Sequence, residues 1–373
     1  MILRHKNQNG TVVVMVMWIL AILSLFAVGL GYRSSIELRL TSFYLDKVRT
    51  SYLAQEAVYT TFFHIANDTN RKVDAYNERW GNYAEAFFDK EYDDAKVNVT
   101  HLADSNDDEK VILYGASDEM GKININKIPK EIIKSEYWQE EFGFDDDLVK
   151  VLMHWRKKNS SEKDLDAWYE TTYGYKARHG KIQLLEELHF LKNFYTNSCD
   201  KNKHRARLKD IITFWGNGKV NMNTASREVL EALFVMQSAQ KEMGKSDRED
   251  LIRMIIEYRN GDDGLPGTLD DQLFENVNIE TAIGTHDASF ISMLNWLRTK
   301  QLIGVTSDFF RIDATVTFKT KKLKRNVSAI VSRSKEYAKD KTKKEKKTAT
   351  VSVVDEKSDE DLDPMRILKY YEE

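Results

Sequence analysis

The feature that most constrains this chain is a long apolar segment near its N-terminus. Residues Thr11 to Gly31 read TVVVMVMWILAILSLFAVGLG and contain no charged side chain. At a rise of 1.5 Å per residue, a helix of this length crosses the roughly 30 Å hydrocarbon core of a bilayer. Arg4 and Lys6 precede the segment, and basic residues favour the cytoplasmic side. The sequence therefore predicts a single-pass membrane protein with a cytoplasmic N-terminus.

The same helix is predicted to continue beyond the membrane. Between Tyr32 and Asn67 there is no glycine or proline. Apolar residues such as Ile36 and Leu40 recur near helical spacing, with polar residues between them. We therefore expect one continuous helix over residues 11–67, apolar in its first part and amphipathic in its second.

A glycine separates the short basic leader from the apolar segment. On hydropathy alone the segment is equally well interpreted as a simple signal anchor. The position of Gly10, however, resembles the N-terminus of type IV pilins and of the pseudopilins of type II secretion. The resemblance implies that a prepilin peptidase cleaves after Gly10, and that Thr11 becomes the methylated first residue of a helix that packs into a filament core.

The residue at the fifth mature position departs from most of that family. The resemblance leads us to expect glutamate there, and this chain has Met15. An unpaired acidic residue in a bilayer costs roughly 2.5–3.5 kcal/mol on insertion scales. In these filaments the glutamate is thought to pair with the terminal amine of the subunit above. Met15 therefore favours a subunit with nothing above it, at the tip; the other interpretation is a chance substitution in an ordinary anchor.

Composition and motifs argue against several other classes of protein. The net charge of -3 across 373 residues is unlike a general nucleic-acid binder, and the single cysteine, Cys199, excludes an internal disulfide. There is no G-x-S-x-G, Walker or H-E-x-x-H motif, and no spaced Cys/His cluster that suggests zinc. We expect no enzymatic activity and no small-molecule substrate.

Alternating segments predict a small antiparallel sheet that brackets a helical region. The predicted strands are Lys96–Thr100, Lys110–Tyr114, Phe309–Lys319 and Arg325–Ser332, the last two forming a hairpin. Between them, residues 130–302 contain long periodic segments with few breakers. The fold class is therefore α+β, with a large all-α insertion.

The helical region contains an internal duplication. Gly121–Ile133 (GKININKIPKEII) matches Gly218–Leu230 (GKVNMNTASREVL). Each copy is followed by an amphipathic helix, Asp147–Arg156 and Asp250–Arg259. Each copy therefore predicts a strand-like Asn-x-Asn entry, a polar helix start and a helical hairpin.

The second copy supports an alternative function. Its Asn221–Ala225 string (NMNTA) also opens helix-hairpin-helix modules, many of which bind DNA. Such modules hold a phosphate with a Gly-x-Gly turn, whereas the two linkers here contain only Gly143 and Gly244. The alternative is a membrane-tethered DNA-binding protein of a competence or type IV pilus system; our main interpretation involves no nucleic acid.

Five strings in order resemble the K-type minor pseudopilins of type II secretion (the GspK family). They are Asp118–Asn126, a tryptophan-bearing helix that ends at Trp155, Leu184–Leu188, Gly218–Ala225 and Ser307–Ala314, and they follow a matching leader that ends at Gly10. The resemblance implies a pilin-like body with a helical insertion, at the tip of a pseudopilus whose assembly the protein initiates for protein export. It implies a location in the inner membrane with a periplasmic body, and I- and J-type minor pseudopilins, the major pseudopilin and prepilin peptidase as partners.

The resulting domain organisation has five parts. They are a leader (1–10), the pilin helix (11–67), an α/β body (68–129 and 303–333), an inserted helical domain (130–302) and a charged tail (334–373). The tail lacks apolar periodicity, so we expect disorder, with Pro364–Tyr371 as a frayed end or a short docking helix.

The resemblance also raises the question of calcium, because some members of the family bind it. The candidate ligands are Asp262, Asp263, Asp270 and Asp271, since calcium takes six to eight oxygen ligands. An acidic surface loop is the other interpretation. We expect no cofactor, with calcium as the one possible ion.

Overall fold

The structure is a computed structural model that describes residues 9–158, 163–194, 207–235, 244–318, 324–333 and 366–372. The chain divides into two compact units, residues 1–55 and 56–373. The helices are α1 (Asn9–Ala66), α2 (Ala84–Phe87), α3 (Lys130–Ile133), α4 (Glu136–Phe142), α5 (Asp146–Arg156), α6 (Lys163–Tyr173), α7 (Arg227–Leu233), α8 (Lys245–Arg259), α9 (Ile279–Ala282) and α10 (Ala288–Thr299).

The strands are, in chain order, β1 (Lys90–Tyr92), β2 (Ala95–Asp104), β3 (Lys110–Tyr114), β4 (Ser117–Asp118), β5 (Ile123–Asn124), β6 (Ile212–Thr213), β7 (Val220–Asn221), β8 (Ile303–Gly304), β9 (Phe309–Phe318), β10 (Lys324–Ser332) and β11 (Arg366–Glu372). Two short 3-10 helices span Glu119–Gly121 and Leu185–Phe190.

Within the first unit, the described residues all belong to α1. The predicted continuous helix is confirmed: α1 runs to Ala66 without a break and is long and apolar enough, by length and composition, to cross a membrane. Ser24, within the apolar segment, is satisfied locally: its Oγ donates to the carbonyl of Leu20 at 2.8 Å, so this hydroxyl does not need water.

The second unit contains a seven-stranded antiparallel sheet. Its main path is β1-β2-β9-β10-β11, with β3 paired to β2 and β4 paired to β9. Alternate residues of the central strands are buried, for example Val97 and Val99 in β2 and Ile312 and Ala314 in β9. This alternation is the signal that predicted the strands, and all four predicted strands and the β9-β10 hairpin are confirmed.

The end of the tail differs from the prediction. Arg366–Glu372 is neither a frayed end nor a helix: it pairs antiparallel with β10, with Ser332 opposite Arg366 and Val327 opposite Glu372. The segment is rich in residues that favour strands, such as Ile367 and Tyr370. The edge strand β10 offers unpaired backbone groups to which this segment bonds. The sequence around residues 366–372 does not show that such a strand is available. Residues 334–365 lie outside the described residues, so their predicted disorder stays a prediction.

The region between the sheet strands is helical, as predicted. Helices α3 to α10 pack around one apolar core that contains Trp138, Leu152, Leu230, Ile255 and Leu294, each at most 1% exposed. Two short parallel strand pairs, β5-β6 and β7-β8, open the two copies of the repeat. The sequence predicted the strand-like entries but not their partners.

Candidate functional sites

The two copies of the repeat build the same local structure. In the first, Asn124 Oδ1 accepts from the backbone N–H of Asn126 at 2.9 Å. In the second, Asn221 Oδ1 accepts from the backbone N–H of Asn223 at 3.1 Å. A side-chain amide that bonds the backbone two residues on turns the chain sharply. In each copy this turn leads from a short strand to the following helix.

The second asparagine of each copy clamps a distant segment of backbone. Asn126 Nδ2 donates to the carbonyl of Ile182 at 2.8 Å, and its Oδ1 accepts from the N–H of Ile182 at 2.7 Å. Asn223 makes the same pair of bonds with Phe274, at 3.2 and 2.8 Å. The side-chain amide of asparagine carries both a donor, Nδ2, and an acceptor, Oδ1. It can therefore bond the carbonyl and the N–H of one residue at once, which explains the asparagine at both positions.

An arginine from the helix that follows closes each copy. Arg156, at the end of α5, donates to the carbonyls of Ile125 and Ile128 at 2.7 and 2.8 Å. Arg259, at the end of α8, donates to the carbonyls of the corresponding residues of the second copy at 3.3 and 2.6 Å. Burial lowers the pKa of Arg156 to about 10. Both guanidinium groups therefore serve the fold of their own copy.

A buried carboxylate joins the second copy to the sheet. Asp118 Oδ2 accepts from Asn221 Nδ2 at 2.8 Å, from Thr224 Oγ1 at 2.6 Å and from Ser307 Oγ at 2.5 Å. Its Oδ1 accepts from the backbone N–H of Met120 at 2.7 Å. Burial raises the pKa of Asp118, and these hydrogen bonds act in the opposite direction.

A second carboxylate extends this cluster. Asp74 contacts Arg333 Nη2 through both oxygens, at 2.5 and 2.6 Å, and accepts from the N–H of Ser307 at 2.7 Å. Burial raises the pKa of Asp74 to about 7, although Arg333 opposes the shift. Arg333 Nη1 also donates to Asp68 at 2.9 Å.

We call this cluster the polar junction; its members are Asp74, Asp118, Asn221, Thr224, Ser307 and Arg333. Three of the strings that carried the family resemblance begin with, or contain, one of its residues. The sequence identified those strings but did not show that they meet. Their role in the structure is to tie the sheet to the helical region through satisfied buried polar groups.

The predicted processing and tip residues lie on α1. Gly10, Thr11 and Met15 are exposed, and Met15 retains 65% of its surface. A side chain added at Gly10 would meet nothing within 4 Å. Packing within the chain therefore does not require glycine at this position. Cleavage after Gly10 stays a prediction.

The predicted calcium ligands mainly bond their own loop. Asp270 Oδ2 accepts from the N–H groups of Asp262 and Asp263 at 2.8 and 3.0 Å, and Asp271 Oδ2 accepts from that of Gly267 at 2.8 Å. The hydrogen bond from Thr268 lowers the pKa of Asp270 to about 2, whereas burial raises that of Asp271 to about 6. Within the described ranges, these carboxylates do not bring three ligand atoms within 4.8 Å of one another. Calcium stays a prediction.

The structure brings together one cluster that the sequence missed. His154, Asp166 and His179 place their ligand atoms within 4.8 Å of one another. His154 Nε2 lies 2.9 Å from Asp166 Oδ1, and His179 Nε2 lies 3.0 Å from the same oxygen. Desolvation would raise the pKa of Asp166, but the hydrogen bond from His154 and the charge of His179 lower it. The spacing of the three residues matches no metal-binding motif, so no sequence pattern pointed to this cluster.

Comparison with known proteins establishes the fold. No family model matches the chain, and no curated protein matches it. Among solved structures, the chain is similar to a chain of the GspK-GspI-GspJ complex from the type 2 secretion system of enterotoxigenic Escherichia coli. The TM-score is 0.52 and the identity 12%, and the match covers 90% of this chain and 99% of that chain. The predicted α+β fold is confirmed.

Proposed function

We propose that this protein is a minor pseudopilin of a type II secretion system, which caps the tip of the pseudopilus and initiates its assembly. The observation that carries the proposal is the shared fold with a chain of the GspK-GspI-GspJ complex over 90% of this chain. The α1 helix supports it, because its apolar part has the length of a membrane anchor. The proposed location is the inner membrane, with a periplasmic body.

The proposed assembly follows from the chemistry of the first mature residues. Prepilin peptidase cleaves between Gly10 and Thr11, which frees the amine of Thr11. That amine pairs with the fifth-position glutamate of the next subunit down. Met15 needs no partner from a subunit above, because its thioether carries no charge that must be neutralised in the membrane. I- and J-type minor pseudopilins are the proposed neighbours in α1 packing, where close contact matters more than exclusion of water.

The helical region supports a structural role over DNA binding. In the second copy of the repeat, Asn221, Asn223 and Arg259 all make hydrogen bonds within the protein. In the first copy, Asn126 and Arg156 do the same. These polar groups therefore hold the insertion together rather than face a phosphate. We propose that the insertion blocks the addition of a further subunit above this one.

Two glutamate substitutions test the position at the tip. Met15 and Met17 are both 65% exposed on the same part of α1. In the body of a filament, glutamate at position 15 would pair with the amine above, whereas glutamate at position 17 would not. At the tip neither is paired, and each costs roughly 2.5–3.5 kcal/mol in the membrane.

We therefore expect Met15→Glu to impair secretion and filament initiation as much as Met17→Glu. The readout is the fraction of substrate protein in the medium, with the amount of full-length chain in the membrane as control. Normal secretion with Met15→Glu, together with loss with Met17→Glu, would place the subunit in the filament body.

The proposed partners are tested by affinity purification of the full chain in detergent. We expect the I- and J-type minor pseudopilins of the same cell to copurify. Purification without them, combined with salt-sensitive retention of duplex DNA, would favour the membrane-tethered DNA-binding alternative.

A further inference from the structure

Three side chains from separate segments converge on one point of the helical region. His154 lies in the last turn of α5, Asp166 in the first turn of α6, and His179 in the loop that follows α6. The side chain of His154 is 0% exposed, whereas Asp166 and His179 are 28% and 25% exposed. The cluster is therefore anchored in the core and reached from the surface.

The position of His179 is held by an unusual backbone. Its φ is +50°, a value that residues other than glycine rarely adopt and that tends to occur at functional sites. The next N–H, of Gly180, donates to the carbonyl of Trp155 at 3.0 Å. This bond fixes the loop against the end of α5, so that the His179 ring faces His154 at a centroid distance of 4.8 Å.

The two ring nitrogens of His179 both lie next to hydrogen-bond acceptors. Its Nδ1 lies 3.3 Å from the carbonyl oxygen of Lys157, which requires the proton on Nδ1. Its Nε2 lies 3.0 and 3.1 Å from the two oxygens of Asp166, and an ionised carboxylate only accepts. Both ring nitrogens of His179 therefore face acceptors, and Nε2 needs either a second proton or a metal ion between it and the carboxylate.

We propose that His154, Asp166 and His179 bind a divalent transition-metal ion, with zinc as the metal we expect. Two imidazoles and one carboxylate suit zinc, whereas calcium and magnesium require oxygen ligands. Zinc bonds to these groups are roughly 2.0–2.2 Å long, which for a tetrahedral ion separates the ligand atoms by roughly 3.3 Å. The histidine nitrogens lie 2.9 to 3.1 Å from the oxygens of Asp166, so a small outward movement of the carboxylate reaches that separation, and all three ligand atoms lie within 4.8 Å of one another.

The surroundings of the cluster fit this assignment. A histidine that binds a metal usually donates its other N–H to a carbonyl or carboxylate, which orients the ring, and His179 does so with Lys157. The partly exposed side of Asp166 and His179 leaves the fourth position to water. The ion would fasten α6 and the loop after it to α5. The proposal does not depend on the secretion role.

The test is a zinc titration of the full chain in detergent, after treatment with a chelator. Competition with a chromophoric zinc indicator gives the stoichiometry and affinity, and cobalt(II) substitution reports the geometry by its visible absorption. We expect one zinc ion per chain, and intense tetrahedral cobalt bands. His179→Ala and Asp166→Asn should weaken binding at least about 100-fold, because each removes a ligand, whereas loss of an outer partner alone costs 10–100-fold.

Controls separate loss of the site from loss of the fold. His286→Ala removes an exposed histidine outside the cluster and should leave zinc binding unchanged. Thermal unfolding without zinc identifies variants that fail to fold, and His179 and Asp166 are chosen because they are partly exposed. Absence of stoichiometric zinc binding by the wild-type chain, or binding that both variants retain, would overturn the proposal. The cluster would then be a proton-bridged triad.

Discussion

Removal of the Asp118 carboxylate should destabilise the protein strongly, because four buried donors converge on it. In Asp118→Ala, Asn221 keeps the carbonyl of Asp74 at 3.0 Å, and Thr224 keeps only a long contact of 3.5 Å with the carbonyl of Asn221. The hydroxyl of Ser307 and the N–H of Met120 both lose their acceptor. A buried donor left without a partner costs about 1–3 kcal/mol. With two such donors, we expect a loss of about 4 kcal/mol.

The measurement is urea unfolding of the full chain in detergent, followed by tryptophan fluorescence. Asp145→Ala is the matched control: Asp145 also accepts from a backbone N–H, that of Leu148 at 2.8 Å, but as a partly exposed helix cap. Loss of such a cap costs about 1 kcal/mol. If Asp118→Ala costs no more than Asp145→Ala, the polar junction does not fasten the helical region to the sheet.

Two further predictions concern the repeat and the pH dependence of stability. Asn126→Ala and Asn223→Ala should each cost about 2 kcal/mol in urea unfolding, since each removes a two-way clamp on backbone; a large loss from only one of them would contradict the equivalence of the two copies. Burial raises the pKa of Glu78 to about 8 from 4.5, so its contribution to stability is complete below about pH 4.5 and is lost as the pH rises through 8. Discounted for partial exposure, the free energy of unfolding of the wild type should fall by about 2 kcal/mol more than that of Glu78→Gln over this window, as measured by urea unfolding at each pH; equal slopes would refute the assignment.

The sequence predicted the helices and strands whose residue pattern lies within one continuous segment. The α1 helix follows from an uninterrupted run without glycine or proline, and β2 and β9 follow from alternate burial of one face. The duplicated Asn-x-Asn strings indicated two equivalent structures, which the clamps by Asn126 and Asn223 confirm. In these cases the predictive pattern lies within one element, or in its repetition in the second copy.

Contacts between different elements were not predictable. The β11 strand depends on the open edge of β10, and β6 and β8 have only two residues each. The polar junction joins Asp74 to Arg333, and the histidine cluster depends on a loop with a left-handed residue at His179. No periodic pattern encodes such contacts, since each one joins residues from separate segments of the chain.

The most direct test of the pseudopilin role is the mass of the N-terminus in cells with and without prepilin peptidase. If the protein is a pseudopilin, we expect a chain that begins at methylated Thr11 in the first case and retains residues 1–10 in the second. An N-terminus with the same mass in both strains, still carrying those residues, would contradict this role and reduce the apolar part of α1 to a plain membrane anchor.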